Sequence, residues 1–257
     1  MTIQKKLASI LIDGAVANGD VCLVQTEDGL DRIKKYIKRF PKFYSFLIGV
    51  ISPVFPSNII RSKRFVANAE NEIVVNFGSG NSRLGKHIIN IDLLDYDNVD
   101  LVTDISKTPI KDGSVDKIIS IAVLEHVRNP RRVVEEMRRV LKKNGEIYCF
   151  VPFIQGFHAS PHDYTRVTYE GIKELFKEFE VTDTRPVGGP TSGMLWVLQE
   201  WIAIILSCGS RTLHRYLYIV IMLITFPLKF LDLLLIWHPS AKNISSGFSI
   251  TVKKLDD

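Results

Sequence analysis

Cysteine is scarce in this 257-residue chain, with only Cys22, Cys149 and Cys208. Three widely spaced thiols cannot all pair and show no metal-ligand spacing, which excludes a disulfide framework and fits a reducing compartment. Internal repeats and low-complexity tracts are absent, so a solenoid is excluded too. Acidic residues are outnumbered, 28 against 33 Lys and Arg, for a formal charge of +5. The excess falls before residue 65, in KKYIKRFPK and RSKR. It predicts an anionic partner surface, phospholipid or nucleic acid. The N-terminal MTIQKKLASILIDG lacks a convincing cleavage site and does not read as a signal peptide.

A glycine is also missing. The stretch VVNFGSGNSRLGKHIINID has the look of a strand, a glycine turn and a second strand closing on an acid. A dinucleotide fingerprint would need a third glycine where Arg83 stands, and an acid about twenty residues on, whereas Asp92 comes much sooner. Only seven residues separate Gly80 from Ile88, too few for the usual helical crossover of a dozen or more. No phosphate-cradling helix fits there, which argues against NAD.

What is present divides into parts: 1–69, 70–186, 187–246 and 247–257. The first part is basic and helical, with Leu30, Ile33, Tyr36, Ile37 and Phe40 on one face, and Pro41 restarting a helix. The second alternates apolar strands (EIVVNF, HIINID, VDLVT, KIISIA, GEIYCFVPF, EVTDTRP) with helical patterns at 130–142 and 169–179. Such alternation predicts an α/β fold with a parallel, doubly wound sheet. The third is strongly apolar and precedes a last strand, GFSITVKK, which makes it an insertion before that strand.

Residues 216–237 are numerous enough to cross a membrane, but Lys229 and Asp232 stand mid-stretch. Each would cost about 2.5–3.5 kcal/mol there, against roughly 0.3–0.6 gained per Leu, Ile, Val or Phe, so the sums nearly cancel. The preceding leg, 194–208, carries Gln199 and Glu200 and reaches only about 22 Å as a helix, short of a ~30 Å hydrocarbon core. A helical hairpin lying in one leaflet, with basic helices against anionic headgroups, is the expectation. Helices that cap the sheet or form a homodimer core are the alternative.

Gly78 and Gly80 turn the chain where backbone N–H groups can approach a ligand. Asp92 closes the second strand and Asp104 follows the third. A carboxylate at a strand's carboxyl edge suits a ribose diol, and a second beside it can accept from an exocyclic amine. Together they outline an adenosine site without phosphates.

NFGSGN (76–81), INID, VTDI, DGSVDKIISIAVLEHVRNP and VVEEMRRVLKKNGEIYCFVPF, in this order and spacing, resemble the class I S-adenosylmethionine-dependent methyltransferases, in particular the type 11-like methyltransferases of bacterial surface-glycan clusters. The resemblance implies a Rossmann-like sheet and S-adenosylmethionine as cofactor. By resemblance, Asn76, Gly78, Ser79 and Gly80 pass under its methionine part, Asp92 and Leu93 meet the ribose, and Asp104 and Ile105 lie by the adenine. Ala122, Glu125 and His126 then wall the reaction centre. Many members carry an acid where this chain has Asn76, whose carbonyl can still accept. Asp116 reads as a turn residue.

The loop GFHASPHDYTRVT follows the fifth strand, at the sheet edge where open α/β folds bind ligands. Similar H-x-x-P-x-D-Y-x-R-x-T runs occur in the methyltransferases it resembles. His158, His162 and Asp163 are candidate catalytic residues with His126, either histidine suiting a general base. Tyr164 and Arg166 are candidate acceptor contacts. Equally open is an Asp163–Arg166 clasp that orders the loop, with Thr168 capping the next helix. No metal site is expected.

The expected function is O-methylation of a lipid-linked sugar or other membrane-anchored acceptor, by an enzyme peripheral or monotopic at the cytoplasmic face of the inner membrane, with no nucleic-acid partner. Two alternatives stand beside it: a small-molecule or quinone-type methyltransferase with a helical lid, and a non-catalytic membrane scaffold.

Overall fold

The computed structural model describes residues 2–12, 49, 52–55, 57–158 and 162–255. The amphipathic stretch through Leu30 and Phe40, and most of the helix expected after Pro41, lie outside the described residues.

Strands β1 (Val74–Phe77), β2 (Ile88–Asp92), β3 (Leu101–Val102), β4 (Val115–Ile121), β5 (Leu141–Pro152), β6 (Glu180–Val187) and β7 (Gly247–Lys253) form one sheet in the order β3-β2-β1-β4-β5-β7-β6. From β3 to β5 neighbouring strands are parallel, but β7 runs antiparallel to both β5 and β6, so the expected parallel sheet is mixed. The register explains the reversal: Val187 ending β6 pairs with Gly247 opening β7, so the intervening chain leaves and returns at one edge. All four residues of β1 are buried, because helices cover both faces of the sheet. Helix α1 (Ile3–Ile10) contributes Leu7 and Ile10 to the core on one face, shared with Val75 and Phe77. Helix α2 (Ser57–Phe65) lies over the other, where Phe65 packs on Val74, Ile88 and Tyr148.

Asn129 caps helix α3 (Pro130–Val140), accepting from the Arg132 N–H at 3.3 Å, with proline at its first position. Its Val133, Met137 and Val140 recur at helical spacing and join the α1-side core, as do Ile172 and Phe176 at helix α4 (Tyr169–Leu175). As expected, the Thr168 hydroxyl caps α4, accepting from the Gly171 N–H at 3.0 Å.

No helix joins β1 to β2; a side-chain network takes its place. Arg83 donates to the Ile88 carbonyl at 3.0 Å, to the Asn98 carbonyl at 2.7 Å and to both Asp100 oxygens at 2.9 Å. Asn98 Nδ2 donates to the Gly80 and Ser82 carbonyls at 3.0 Å. The residue that breaks the dinucleotide pattern thus fastens the short crossover. Asp116, as expected, is a turn anchor: it accepts from the Ile73 N–H at 2.8 Å and pairs with Lys142.

Between β6 and β7, helices α5 (Pro190–Ser207) and α6 (Arg211–Thr225) pack as a hairpin. The chain continues through a 3₁₀ stretch (Phe226–Leu231) into α7 (Asp232–Leu235). Arg211–Leu235 is long and apolar enough to cross a membrane, and only 17% of its apolar window is buried. Arg211 and Arg215 near its start are exposed, but the two charges in its second half turn inward. Asp232, 3% exposed, accepts from the Thr191 and Ser192 N–H groups at 2.8 Å and from the Ser192 hydroxyl at 2.6 Å, capping α5. Lys229, 2% exposed, donates to the carbonyls of Gly49 at 2.7 Å and Ser52 at 3.0 Å. Gln199 is fully buried and donates to Thr225 at 2.8 Å. Outward face Trp201, Ile204, Ile224, Leu234 and Trp237, each more than half exposed.

Candidate active site

A cleft of about 210 Å³ opens at the carboxyl ends of β1, β2 and β4, where the strand order reverses. Gly78 and Gly80 lie along it with φ of 70° and 53°. A side chain on Gly78 would meet Val123 Cγ2 at 2.4 Å, so both conformation and close approach require glycine there. Ala122, at φ 55°, occupies a left-handed conformation that costs roughly 1–2 kcal/mol in a non-glycine residue. Such strain is held where it shapes a site.

Asp92 organises the cleft. Its Oδ2 accepts from the Gly80 N–H at 2.7 Å and its Oδ1 from the Leu94 N–H at 3.0 Å. An ionised carboxylate offers about four lone-pair positions, so one remains on each oxygen for a diol. Tyr96 lies in the same cleft, its hydroxyl pushed up by burial and by the Asp92 charge. Asp104 is exposed at the rim and accepts from the Ser106 N–H at 2.8 Å. Leu93, Ile105 and Val127 supply apolar walls. Glycine floor, carboxylates and apolar walls fit an adenosyl group: Asp92 would hold the ribose, with Leu93, Ile105 and Asp104 around the adenine.

Two expected cofactor contacts lie elsewhere. Asn76 is 3% exposed and donates to Asn90 Oδ1 at 3.4 Å, because its place in β1 turns it toward β2 rather than into the cleft. Ser79 is buried, its backbone N–H donating to the Ile91 carbonyl at 3.1 Å and its hydroxyl to the Gly80 carbonyl at 3.4 Å.

Beyond Ala122 a 3₁₀ turn, Leu124–His126, meets the loop after β5. The Tyr164 N–H donates to the Glu125 carbonyl at 2.7 Å, and His126 Nδ1 lies 2.5 Å from the His162 carbonyl. This brings His158 to Glu125: its Nε2 is 3.8 Å from Oε1, while His126 Nε2 is 3.6 Å from the same oxygen. Glu125 is 1% exposed, and neither carboxylate oxygen has a hydrogen-bond partner. His126 also lines the cofactor cleft, so the cluster borders it. The approach of Glu125 raises His158 above the ordinary imidazole range, against the opposing effect of burial.

Asp163 and Arg166 hold the loop together. Asp163 and Arg166 form a bidentate clasp, and Asp163 also accepts from the His158 N–H at 3.0 Å. Arg166 holds the Asp163 carboxyl down to about 2. Asp163 is therefore a loop fastener rather than a catalytic acid, and Arg166 is committed to it rather than to an acceptor. The His162 ring packs on Tyr164 at 5.3 Å, and only its carbonyl reaches the cluster. Tyr164 is 43% exposed with Arg128 over its ring, open to an acceptor. Glu125, His126 and His158 bring three potential ligand atoms within 4.8 Å of one another, a grouping that the expectation of no metal site did not include. Their separation along the chain hid it; only the bond pattern joining loop to turn closes it.

Residues 79–149 match a family model described as a methyltransferase domain. No curated protein matches the chain. Among solved structures, Haemonchus contortus phosphoethanolamine N-methyltransferase 2, in complex with phosphomonomethylethanolamine and S-adenosylhomocysteine, is 16% identical with a TM-score of 0.51, over 91% of this chain and 61% of that one. Burkholderia thailandensis 1,6-didemethyltoxoflavin-N1-methyltransferase is 10% identical with a TM-score of 0.49, over 91% and 94% of the two chains. Sheet order, cleft and domain match agree: residues 79–149 carry a methyltransferase domain, on a Rossmann-like sheet whose cleft fits an adenosyl cofactor.

Proposed function

We propose that this enzyme methylates an oxygen of a lipid-linked sugar or comparable membrane-anchored acceptor, at the cytoplasmic face of a membrane in which its hairpin lies. One observation carries this. A wholly apolar groove of about 350 Å³ starts at Ile154, just before the acceptor-side loop, and runs onto the hairpin along Met194, Val197, Leu198 and Trp201. A hydrocarbon chain laid there would bring its headgroup to the loop that carries His158. The groove continues onto the outward apolar face of α5 and α6, with Trp201, Ile204, Leu213 and Ile224, where the exposed cations Arg211 and Arg215 sit in the first turns of α6 and Glu200 lies 3.2 Å from His214. Because Lys229 and Asp232 bond inward, their burial in protein removes the penalty they would carry in lipid. At 18 residues α5 extends about 27 Å, short of a ~30 Å hydrocarbon core, so a hairpin lying along one leaflet suits it better than two crossings.

When bound, S-adenosylmethionine supplies a methyl group already activated on a sulfonium. The protein's task is alignment. Gly78 and Gly80 keep the cleft floor low, Asp92 fixes the ribose, and the Glu125–His126–His158 cluster faces the acceptor side, where a nucleophile's proton must be dealt with.

The test is vesicle flotation together with turnover. Wild-type protein should float with vesicles containing phosphatidylglycerol, and Trp201→Ser combined with Ile224→Ser should weaken flotation while S-adenosylhomocysteine binding persists. Extracted lipid-linked sugars should accept methyl groups and the free sugars should not. Equal turnover of free sugars, without flotation, would make the hairpin a lid. A stable dimer in detergent-free buffer, without flotation, would place a second copy on the apolar face.

A further inference from the structure

We propose that Glu125, His126 and His158 form a binding site for one divalent transition-metal ion of the zinc class. Three features converge on this. First, both imidazole tautomers are set from behind. His126 Nδ1 lies 2.5 Å from the His162 carbonyl and His158 Nδ1 lies 3.1 Å from the Gly156 carbonyl. A carbonyl only accepts, so each Nδ1 carries a hydrogen, and a metal ion would take the place of any proton on the Nε2 that faces Glu125. Metal-ligating histidines are held in this way, with the rear N–H given to a carbonyl or carboxylate. Second, the two Nε2 atoms face a carboxylate that is 1% exposed and has no hydrogen-bond partner on either oxygen. At 3.6 and 3.8 Å neither imidazole hydrogen-bonds to it, and leaving such a carboxylate buried and unpartnered is costly.

Third, the spacing suits a metal better than a proton. Charge-assisted N–H···O bonds run about 2.7–2.9 Å, whereas Glu125 Oε1 stands 3.6 Å from His126 Nε2 and 3.8 Å from His158 Nε2. Ligands at roughly 2.0–2.2 Å from a tetrahedral ion stand about 3.3–3.6 Å apart, so a small inward movement completes the set. All three ligand atoms lie within 4.8 Å of one another. Two imidazoles and one carboxylate select zinc, iron or cobalt over magnesium or calcium, and three protein ligands leave a fourth position open.

His126 borders the cofactor cleft, so that open position faces the reaction centre. Its use rests on the acceptor proposed above; its occupancy does not. The acceptor hydroxyl oxygen binds the ion and releases its proton to water. The oxygen then forms a bond to the methyl carbon as the methyl–sulfur bond breaks, with the electron pair remaining on sulfur.

The experiment uses full-length protein in detergent, stripped with chelator, dialysed, and titrated calorimetrically with Zn²⁺ and spectroscopically with Co²⁺. S-adenosylhomocysteine titration runs alongside as a check on fold and cofactor site. Wild type should take up one equivalent of either ion, with tetrahedral Co²⁺ absorption. Glu125→Gln and, separately, His158→Ala should weaken uptake at least tenfold while binding S-adenosylhomocysteine normally. His162→Ala, which keeps the backbone carbonyl, should take up metal like wild type. The loop variant His158→Ala decides the matter if Glu125→Gln does not fold. No stoichiometric uptake by wild type that binds S-adenosylhomocysteine would overturn the site, as would equal uptake by His158→Ala. Loss of S-adenosylhomocysteine binding by wild type would strike the cofactor assignment instead.

Discussion

Replacing Asp92 by asparagine tests the cofactor site with the least disturbance of shape. The carboxylate spends one lone pair per oxygen on the loop, through Gly80 at 2.7 Å and Leu94 at 3.0 Å. The other pair on each oxygen is free for the two ribose hydroxyls. Asparagine keeps one acceptor oxygen and turns the other into a donor, which faces either a backbone N–H or a ribose hydroxyl. Hydrogen bonds to a charged group are worth about 1.5–3 kcal/mol each, so weakening two at the lower end removes about 3 kcal/mol. That is roughly a hundredfold in S-adenosylhomocysteine affinity, at 1.4 kcal/mol per factor of ten. The fold should hold, since Asp92 is only half-buried and water can reach the released N–H groups. Calorimetric titration reads the affinity and thermal unfolding reads the fold. Affinity within twofold of wild type, with unchanged unfolding, would refute the ribose assignment.

Two further outcomes follow from buried charges. Asp232→Ala removes the partner of two N–H groups and a hydroxyl at the start of α5 and should destabilise the fold by about 1–3 kcal/mol, the cost of buried donors left unsatisfied. Hydrogen exchange should rise first at Thr191 and Ser192, and uniform exchange across the sheet would contradict a local cap. Glu136 gives a pH dependence: burial raises its carboxyl, but bonds from Arg139 and from the Thr108 N–H and hydroxyl outweigh this and leave it lowered. Its stabilisation is therefore present above the unfolded value of about 4.3 and is lost as pH falls through the lower folded value. Urea midpoints of Glu136→Gln should change less than those of wild type between neutral pH and that range, and parallel curves would refute the assignment.

Much of the sheet was legible because buried strands have little chemical freedom: VVNF and IINI read as apolar runs since helices cover both faces. The place of Asp92 in the cleft was legible because it ends a strand at the carboxyl edge of the sheet. What escaped was pairing between distant residues. No local pattern shows that Arg83 replaces a helix, that Asn76 faces Asn90, or that His158 meets Glu125. Lys229 and Asp232 looked like obstacles in an apolar stretch. Their partners are chiefly backbone groups, forty or forty-one positions away for Asp232 and farther still for Lys229, and backbone groups leave no trace in residue identity.

The position of β7 between β5 and β6 bears on how the protein is made. During synthesis β6 emerges before the hairpin and β7 after it, so β6 has no neighbour to pair with until the whole apolar excursion has left the ribosome. The hairpin must find its surroundings while the sheet still has a gap. A membrane close to the ribosome would shelter it during that interval, and arrival of β7 would then lock a nearly finished catalytic domain onto an already seated anchor.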